Sequence, residues 1–402
     1  MNASPPAATP NPLHRTSRGA DLCAPLSAPR RRARRTSIVA VVAALAIALS
    51  ACAGGPATSG SGSEAAATAA CGDSTPLAEL TPVADPRTFE GPTTACMNQP
   101  GITPVAKHVT SKLPVTVTDN QGTQVTVTDT SRILALDLYG SLAATVFGLG
   151  LGGNVVGRDT STGFPEAADL PLVTQNGHEL NGEAILALNP SVIITDSSIG
   201  PWDVVLQMRE SGIPVVVLTP QRNLDNIDDL VLQVAAALGV PHEGELLNAR
   251  IQADVSKTIG DIAALAPKDP ADRPRVMFFY VRGNAGIYYI FGEGSGADAL
   301  IDSLGAVDVA AEIGWKGMRP MTAEALIDAA PDVLIMMTKG LESVGGVDGL
   351  LERIPAIAET PAGQHRRVID MNDTEVMSFG PRTAAVLDAL ARALYAPEAD
   401  GK

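Results

Sequence analysis

Between residues 113 and 395 the apolar positions fall into two rhythms. Val115-Thr-Val-Thr and Val125-Thr-Val-Thr alternate with period two around Asp119-Asn120-Gln121-Gly122, which predicts a β-hairpin. After it, short aliphatic runs alternate with stretches of helical spacing. Arg132-Ile-Leu-Ala-Leu-Asp, Val155-Val156-Gly157, Ser191-Val-Ile-Ile-Thr and Val215-Val-Val-Leu predict buried strands, and residues 140–148, 183–188 and 202–211 predict the helices between them. Continuous aliphatic strands separated by helices imply a parallel sheet covered on both faces.

A long helical stretch follows, residues 225–265, interrupted only around Gly239-Val240-Pro241. Pro241 with Glu243 and Glu245 is helix-start chemistry, so the helix begins again there. Its second half is longer than one crossover needs and predicts a spine between two lobes. The strand–helix alternation then resumes with Val276-Met-Phe-Phe-Tyr-Val, a helix over 296–304, Val333-Leu-Ile-Met-Met and a last helix over 381–395. The two halves echo each other. Asn181-Gly-Glu-Ala-Ile-Leu-Ala-Leu-Asn-Pro-Ser-Val-Ile-Ile aligns with Thr322-Ala-Glu-Ala-Leu-Ile-Asp-Ala-Ala-Pro-Asp-Val-Leu-Ile, each with a Glu seven residues before a Pro.

The N-terminal stretch has a different character. Five arginines between Arg30 and Arg35 precede twelve consecutive apolar residues, Ile38 to Leu49, and then Leu49-Ser50-Ala51-Cys52. That order is a secretory signal, and the apolar run is too short to span a membrane. Leu-Ser-Ala-Cys resembles the bacterial lipobox, which implies that Cys52 is lipidated and that the mature chain is anchored on the extracytoplasmic face of the membrane. The arginines leave Sec and twin-arginine export both open. Residues 53–70 are small and polar and predict a flexible tether, and residues 71–110 an irregular collar rich in Pro and Thr. Cys71 and Cys96 are the pair left for a disulfide in an oxidising compartment. Removing residues 1–51 takes away seven Arg and one Asp and moves the formal charge from −15 to −21, which argues against nucleic acid. The domain plan is therefore signal 1–51, tether and collar 52–110, first α/β lobe 111–224, spine region 225–272 and second α/β lobe 273–402.

The hairpin, Arg132-Ile-Leu-Ala-Leu-Asp, Gly148-Leu-Gly-Leu-Gly-Gly-Asn-Val-Val-Gly, the two Glu…Pro…strand segments and the spine together resemble the substrate-binding proteins of ferri-siderophore, cobalamin and haem ABC importers. The resemblance covers residues 113 to about 395. It implies an α/β fold of two Rossmann-like lobes joined by a long helix, with the ligand in the cleft and little lobe movement. It also implies a monomer that delivers cargo to a permease and its ATPase, with one surface glutamate per lobe docking on the permease. By position these are Glu183 and Glu324.

Candidate ligand chemistry sits at strand ends and loops facing the cleft. Tyr280 and Arg282 are i and i+2 at the end of a strand, so they share a face. An ordinary phenol titrates near pH 10, and iron(III) coordination with a nearby guanidinium favours the phenolate. His178, in Gln175-Asn-Gly-His-Glu-Leu-Asn, is a loop histidine of the first lobe, whereas His108, His242 and His365 fall away from the expected cleft. Tyr-x-Arg in one lobe with a loop His in the other resembles the haem-binding members, which implies haem as cargo with His178 and Tyr280 as axial iron ligands. Arg158, Lys316, Arg319 and Lys339 are candidate propionate partners. Trp202 and Trp315 are candidate stacking residues, and Met336 and Met337 read as core packing, with a thioether reaching the iron as the alternative. The alternatives are a ferric-siderophore or cobalamin carrier of the same family and, from another class, a chelatase-like tetrapyrrole enzyme. Gly148-x-Gly150-x-x-Gly153 matches a dinucleotide fingerprint but follows a helix and precedes a strand, so it presents no helix N-terminus to a phosphate.

Overall fold

The computed structural model describes residues 75–397. The expected signal sequence, Cys52, the tether and Cys71 lie outside the described residues. Fourteen strands occur among them: β1 (Thr93–Ala95), β2 (Val115–Thr118), β3 (Gln124–Val127), β4 (Ile133–Leu136), β5 (Thr174–Gln175), β6 (Glu179–Leu180), β7 (Val192–Asp196), β8 (Val215–Leu218), β9 (Arg275–Arg282), β10 (Ile287–Phe291), β11 (Val307–Asp308), β12 (Met318–Pro320), β13 (Val333–Met337) and β14 (Val368–Met371). β2 and β3 form the predicted hairpin, with Val115 opposite Val127.

The first lobe is built on a parallel sheet in the order β4-β7-β8. The second has the order β1-β14-β13-β9-β10-β12, with β11 also paired to β9. Its β1, β14, β13 and β9 are mutually parallel, while β10 and β12 run antiparallel at one edge. The central strands such as β4 and β9 are apolar on both sides, and their alternate residues go to different cores, as period two requires. Ile133 and Ala135 join a large central core, Leu134 and Leu136 an outer core of the first lobe. Val276 and Phe278 of β9 join the central core, Met277, Phe279 and Val281 an outer core of the second lobe.

The central core runs through both lobes, because the helices behind the sheets close on one another. The spine helix, Pro241–Leu265, buries Gly244, Leu247, Ile251, Ile262 and Leu265. At 25 residues it is about 37 Å long. It packs against the helices Ile227–Ala237 and Thr383–Tyr395, and all three contribute to the same core. A Cβ at Gly148, the last residue of the first-lobe helix Ser141–Gly148, would press on Leu247 of the spine and on Pro381. The glycine thus permits a close three-way junction, and Gly148 ends a helix here as its context predicted.

One segment departs from the sequence expectation. Residues read as an irregular collar supply β1, which extends the second-lobe sheet beside β14. Arg367, which follows His365 and Arg366 in a polar stretch of the sequence, is fully buried. Its guanidinium donates to Thr93 Oγ1 (2.7 Å) and Ala393 O (2.5 Å) and covers the Phe89 ring, so it fastens β1 to the last helix. Burial pushes Arg367 down to about 10. Cys96, next to β1, is disulfide-bonded. No helix among the described residues is long and apolar enough to cross a membrane.

Candidate functional site

A cavity of about 420 Å³ opens between the lobes, within the size range of small-molecule sites. The first lobe lines it with Leu138, Tyr139, Thr160, Ser161 and His178, and its other wall includes Tyr280, Arg282, Tyr289, Phe291, Met337 and Lys339. The three residues the sequence singled out for ligand chemistry therefore meet at one cavity, His178 from one lobe and Tyr280 and Arg282 from the other.

The second-lobe wall follows from strand register. In the antiparallel pair β9–β10, Tyr280 stands opposite Tyr289, Arg282 opposite Ile287 and Phe278 opposite Phe291. Residues 278, 280 and 282 share one face, so that face becomes an aromatic plate. Phe291 stacks on Phe278 (5.0 Å between centroids) and on Tyr280 (5.7 Å). Tyr289 lies in Gly283-Asn-Ala-Gly-Ile-Tyr-Tyr-Ile-Phe-Gly, a segment that adds to the haem-binding likeness in sequence, and 287, 289 and 291 repeat the alternation of the preceding strand.

Arg282 is positioned differently from the expectation that it reaches the phenol. Its guanidinium lies over the face of the Tyr280 ring, 4.5 Å from the centroid, and donates to Asp373 Oδ2 (2.7 Å) and Val281 O (2.9 Å). Asp373 also accepts from the backbone N–H of Lys339 (2.9 Å). Asp373 is a site residue that the sequence did not reveal. It lies in Asn372-Asp373-Thr374, which reads as an ordinary polar turn.

His178 sits at the end of the tight turn Asn176-Gly177-His178 between β5 and β6. Asn176 (φ 47°) and Gly177 (φ 91°) are in left-handed conformations, as the Asn-Gly pair suits. The half-buried imidazole places Nδ1 3.3 Å from Ser161 Oγ. That hydroxyl donates its single hydrogen to Leu138 O (2.6 Å), so it accepts from Nδ1–H. The lone pair is then on Nε2, the nitrogen left to bind a metal. Burial first and the Arg282 charge second hold His178 below the usual imidazole range, with Asp373 pulling the other way. The ring is thus neutral near pH 7, and it senses Arg282 and Asp373 from the opposite lobe.

A buried carboxylate cluster holds the first-lobe wall in shape. Arg222 Nη2 donates to Asp137 Oδ2 (3.1 Å) and Asp196 Oδ2 (2.5 Å). Asp159 Oδ2 accepts from the N–H of Asp137, and its Oδ1 accepts from the N–H and hydroxyl of Thr162. Burial, then the neighbouring Asp137, pushes Asp159 up to about 7. The cluster ties residues 137–139 to 159–162, which deliver Leu138, Tyr139, Thr160 and Ser161 to the cleft.

Other candidates are dispersed. Of the proposed propionate partners only Lys339 lines the cavity. Arg158 is buried beside Asp159, Lys316 pairs with Glu293 (3.0 Å), and Arg319 lies over Trp315. Trp202 and Trp315 pack on the two outer cores and neither lines the cavity. Met336 is fully buried, as core packing requires, whereas Met337 reaches the cavity with its sulfur 3.6 Å from Arg282 Nη2. His108 and His242 are exposed away from the cleft, and His365 pairs with Glu90. Glu183 and Glu324 are exposed in the first turns of helices Gly182–Ala187 and Ala323–Ala329, one on each lobe.

Residues 137–374 match the periplasmic binding protein family. Among solved structures, the heme binding protein HmuT is 43% identical over 78% of this chain and 99% of its own, with a TM-score of 0.73. The periplasmic heme-binding protein RhuT from Roseiflexus sp. RS-1, in its apo form, is 37% identical over 66% of this chain and 98% of its own, with a TM-score of 0.60. The periplasmic heme-binding protein BhuT, in complex with two hemes, is 31% identical over 65% of this chain and 97% of its own, with a TM-score of 0.57. Solved variants of HmuT replace a histidine, a tyrosine and an arginine by alanine, the last two being next-but-one neighbours. No curated protein matches the chain.

Proposed function

The chain belongs to the periplasmic binding protein family, and on that premise we propose that it captures haem between its lobes, with His178 and Tyr280 as axial ligands, and hands it to an ABC importer. It is a binding protein and not an enzyme, as the family is. The observation that carries the haem assignment is the convergence of the His178 imidazole from one lobe and the Tyr280 phenol, with Arg282 on its ring, from the other on one largely apolar cavity. A neutral imidazole with Nε2 free and a phenol under a guanidinium make a ligand pair suited to ferric iron. A phenolate is a hard anion of the kind that iron(III) prefers, and the Arg282 guanidinium packs on the face of its ring. Tyr289 and Phe291 offer flat apolar area to a porphyrin, and Lys339 a cation for a propionate. The three relatives named as haem-binding proteins, and the histidine and next-but-one tyrosine and arginine altered in HmuT, support the same reading.

Three finer assignments accompany it. Glu183 and Glu324 dock on the permease, one per subunit. Cys52 carries a lipid that holds the protein on the extracytoplasmic membrane face, and Cys71 is the partner of the disulfide-bonded Cys96. The deciding measurement is the absorption spectrum of the purified chain with ferric haem. A Soret shift on mixing is expected, lost in Tyr280→Ala and altered in His178→Ala. Spectra identical to wild type in both variants would remove the two residues as ligands.

A further inference from the structure

The two short helices that carry Glu183 and Glu324 are duplicates in more than the glutamate. Asn181 caps the first by accepting from the N–H of Ala184, and Thr322 caps the second by accepting from the N–H of Ala325. Each is followed by a residue in left-handed conformation directly before a proline, Asn189 (φ 45°) and Ala330 (φ 43°). The residue two after each glutamate is buried, Ile185 in one outer core and Leu326 in the other. The residue three after it is a large aliphatic left in water: Leu186 is 38% exposed and Ile327 45%. Positions i and i+3 neighbour each other on a helix surface. Each lobe therefore presents a carboxylate beside an aliphatic side chain, in the same order and on the same framework.

A single exposed leucine calls for no explanation. Among the described residues, however, only seven large apolar side chains are this exposed, and two of them fall at one repeat position. Both repeats keep the inward aliphatic for packing and still retain an outward one.

We propose that Leu186 and Ile327 are apolar anchors of the permease-docking surface, each seating in an apolar recess beside the basic group that receives the neighbouring glutamate. The proposal rests on the reading of Glu183 and Glu324 as docking residues. The occupant is a two-subunit permease, because two matched carboxylate–aliphatic pairs on one chain require a partner that offers a matching basic–apolar recess twice. A second copy of this chain does not fit, since docking the same surfaces would set carboxylate against carboxylate.

The test titrates haem-loaded protein against the permease–ATPase complex in lipid nanodiscs. Leu186→Gln and Ile327→Gln each lower the affinity about 10-fold, and the double variant about 100-fold, because the lost apolar contacts lie in separate subunits. The haem spectrum and Tm stay at the wild-type values, since both side chains lie outside the cavity and the cores. Glu183→Gln and Glu324→Gln are measured alongside. Should the glutamate variants weaken binding while the glutamine-for-aliphatic variants stay within twofold of wild type, the anchors are refuted and docking through the glutamates stands. Should the glutamate variants bind like wild type, the docking reading fails and the anchors with it. A loss confined to one lobe also overturns the proposal, because the paired arrangement is its basis.

Discussion

One serine hydroxyl decides what His178 can do. Ser161 spends its hydrogen on Leu138 O and so takes Nδ1–H from the imidazole, leaving Nε2 as the electron-pair donor. Ligation also needs a neutral ring. Burial and the Arg282 charge favour that state, and Asp373 opposes it. With the imidazole held below its usual range, the His178-dependent part of the ferric-haem spectrum persists as pH falls through about 6.5 and is lost only at lower pH. Removing the negative charge in Asp373→Asn takes away the upward pull, so the acid midpoint moves further down. Arg282→Gln removes a downward pull and moves it up. Acid titration of the visible spectrum reads both shifts, and midpoints that stay put in both variants would mean that neither charge acts on the ligand.

At the scale of elements, the two ligands are held by unlike devices. Tyr280 stands on the long paired strand β9, whereas His178 ends a tight turn between two two-residue strands. Gly177 in that turn has φ 91° with no atom near its missing Cβ, so an alanine there meets strain and no clash. Gly177→Ala costs about 1–2 kcal/mol locally. Haem affinity falls on the order of tenfold at that cost while Tm barely moves, since the turn contributes little to the cores. Calorimetric titration with ferric haem, set beside a thermal melt, separates the two effects, and a large drop in Tm would count against a purely local role. The strand carrying Tyr280 and Arg282 was legible because period two alone puts them on one face. The place of His178 at the cleft was legible, but its hairpin was missed despite the Asn-Gly signal, because the flanking strands are too short to show alternation. Asp373 was invisible, since its pairing with Arg282 spans 91 positions and nothing local marks it. The edge strand β1 was missed for the same reason: its pairing with β14 is long-range and its three residues carry no rhythm. Arg158 looked like a rim cation because a lone arginine in a sequence is normally solvated, whereas the fold buries it with Nη1 on the main-chain oxygen of Asp159.

Among the described residues, the main sheets of the two lobes share one core. The central apolar cluster continues from β4 and the helix Ser141–Gly148 through the spine to β9, β13 and the last helix, so opening the cleft widely would tear apolar contacts. The lobes also touch directly where glycine allows it. A Cβ on Gly296 of the second lobe would strike the backbone oxygen of Arg222. A Cβ on Gly163 of the first lobe would strike the side chain of Thr374, a residue that lines the cavity. Thr374 has little freedom to yield, because both its N–H and its hydroxyl donate to Asn372 Oδ1 (2.9 Å each). Gly163→Ala therefore acts as a wedge at the floor of the cleft and separates the walls that carry His178 and Tyr280. Overpacking of this kind costs about 1–3 kcal/mol, and ligation by two opposed side chains is sensitive to their separation. The expected result is a haem affinity lowered about 10-fold, with the His178 contribution to the spectrum weakened first. Trimming the obstacle in Gly163→Ala/Thr374→Gly removes the three atoms the new methyl would meet and returns the affinity toward that of Thr374→Gly alone. A double-mutant cycle on haem affinity measures that coupling. Strictly additive effects would mean that the lobe contact at Gly163 does not set the distance between the two ligands.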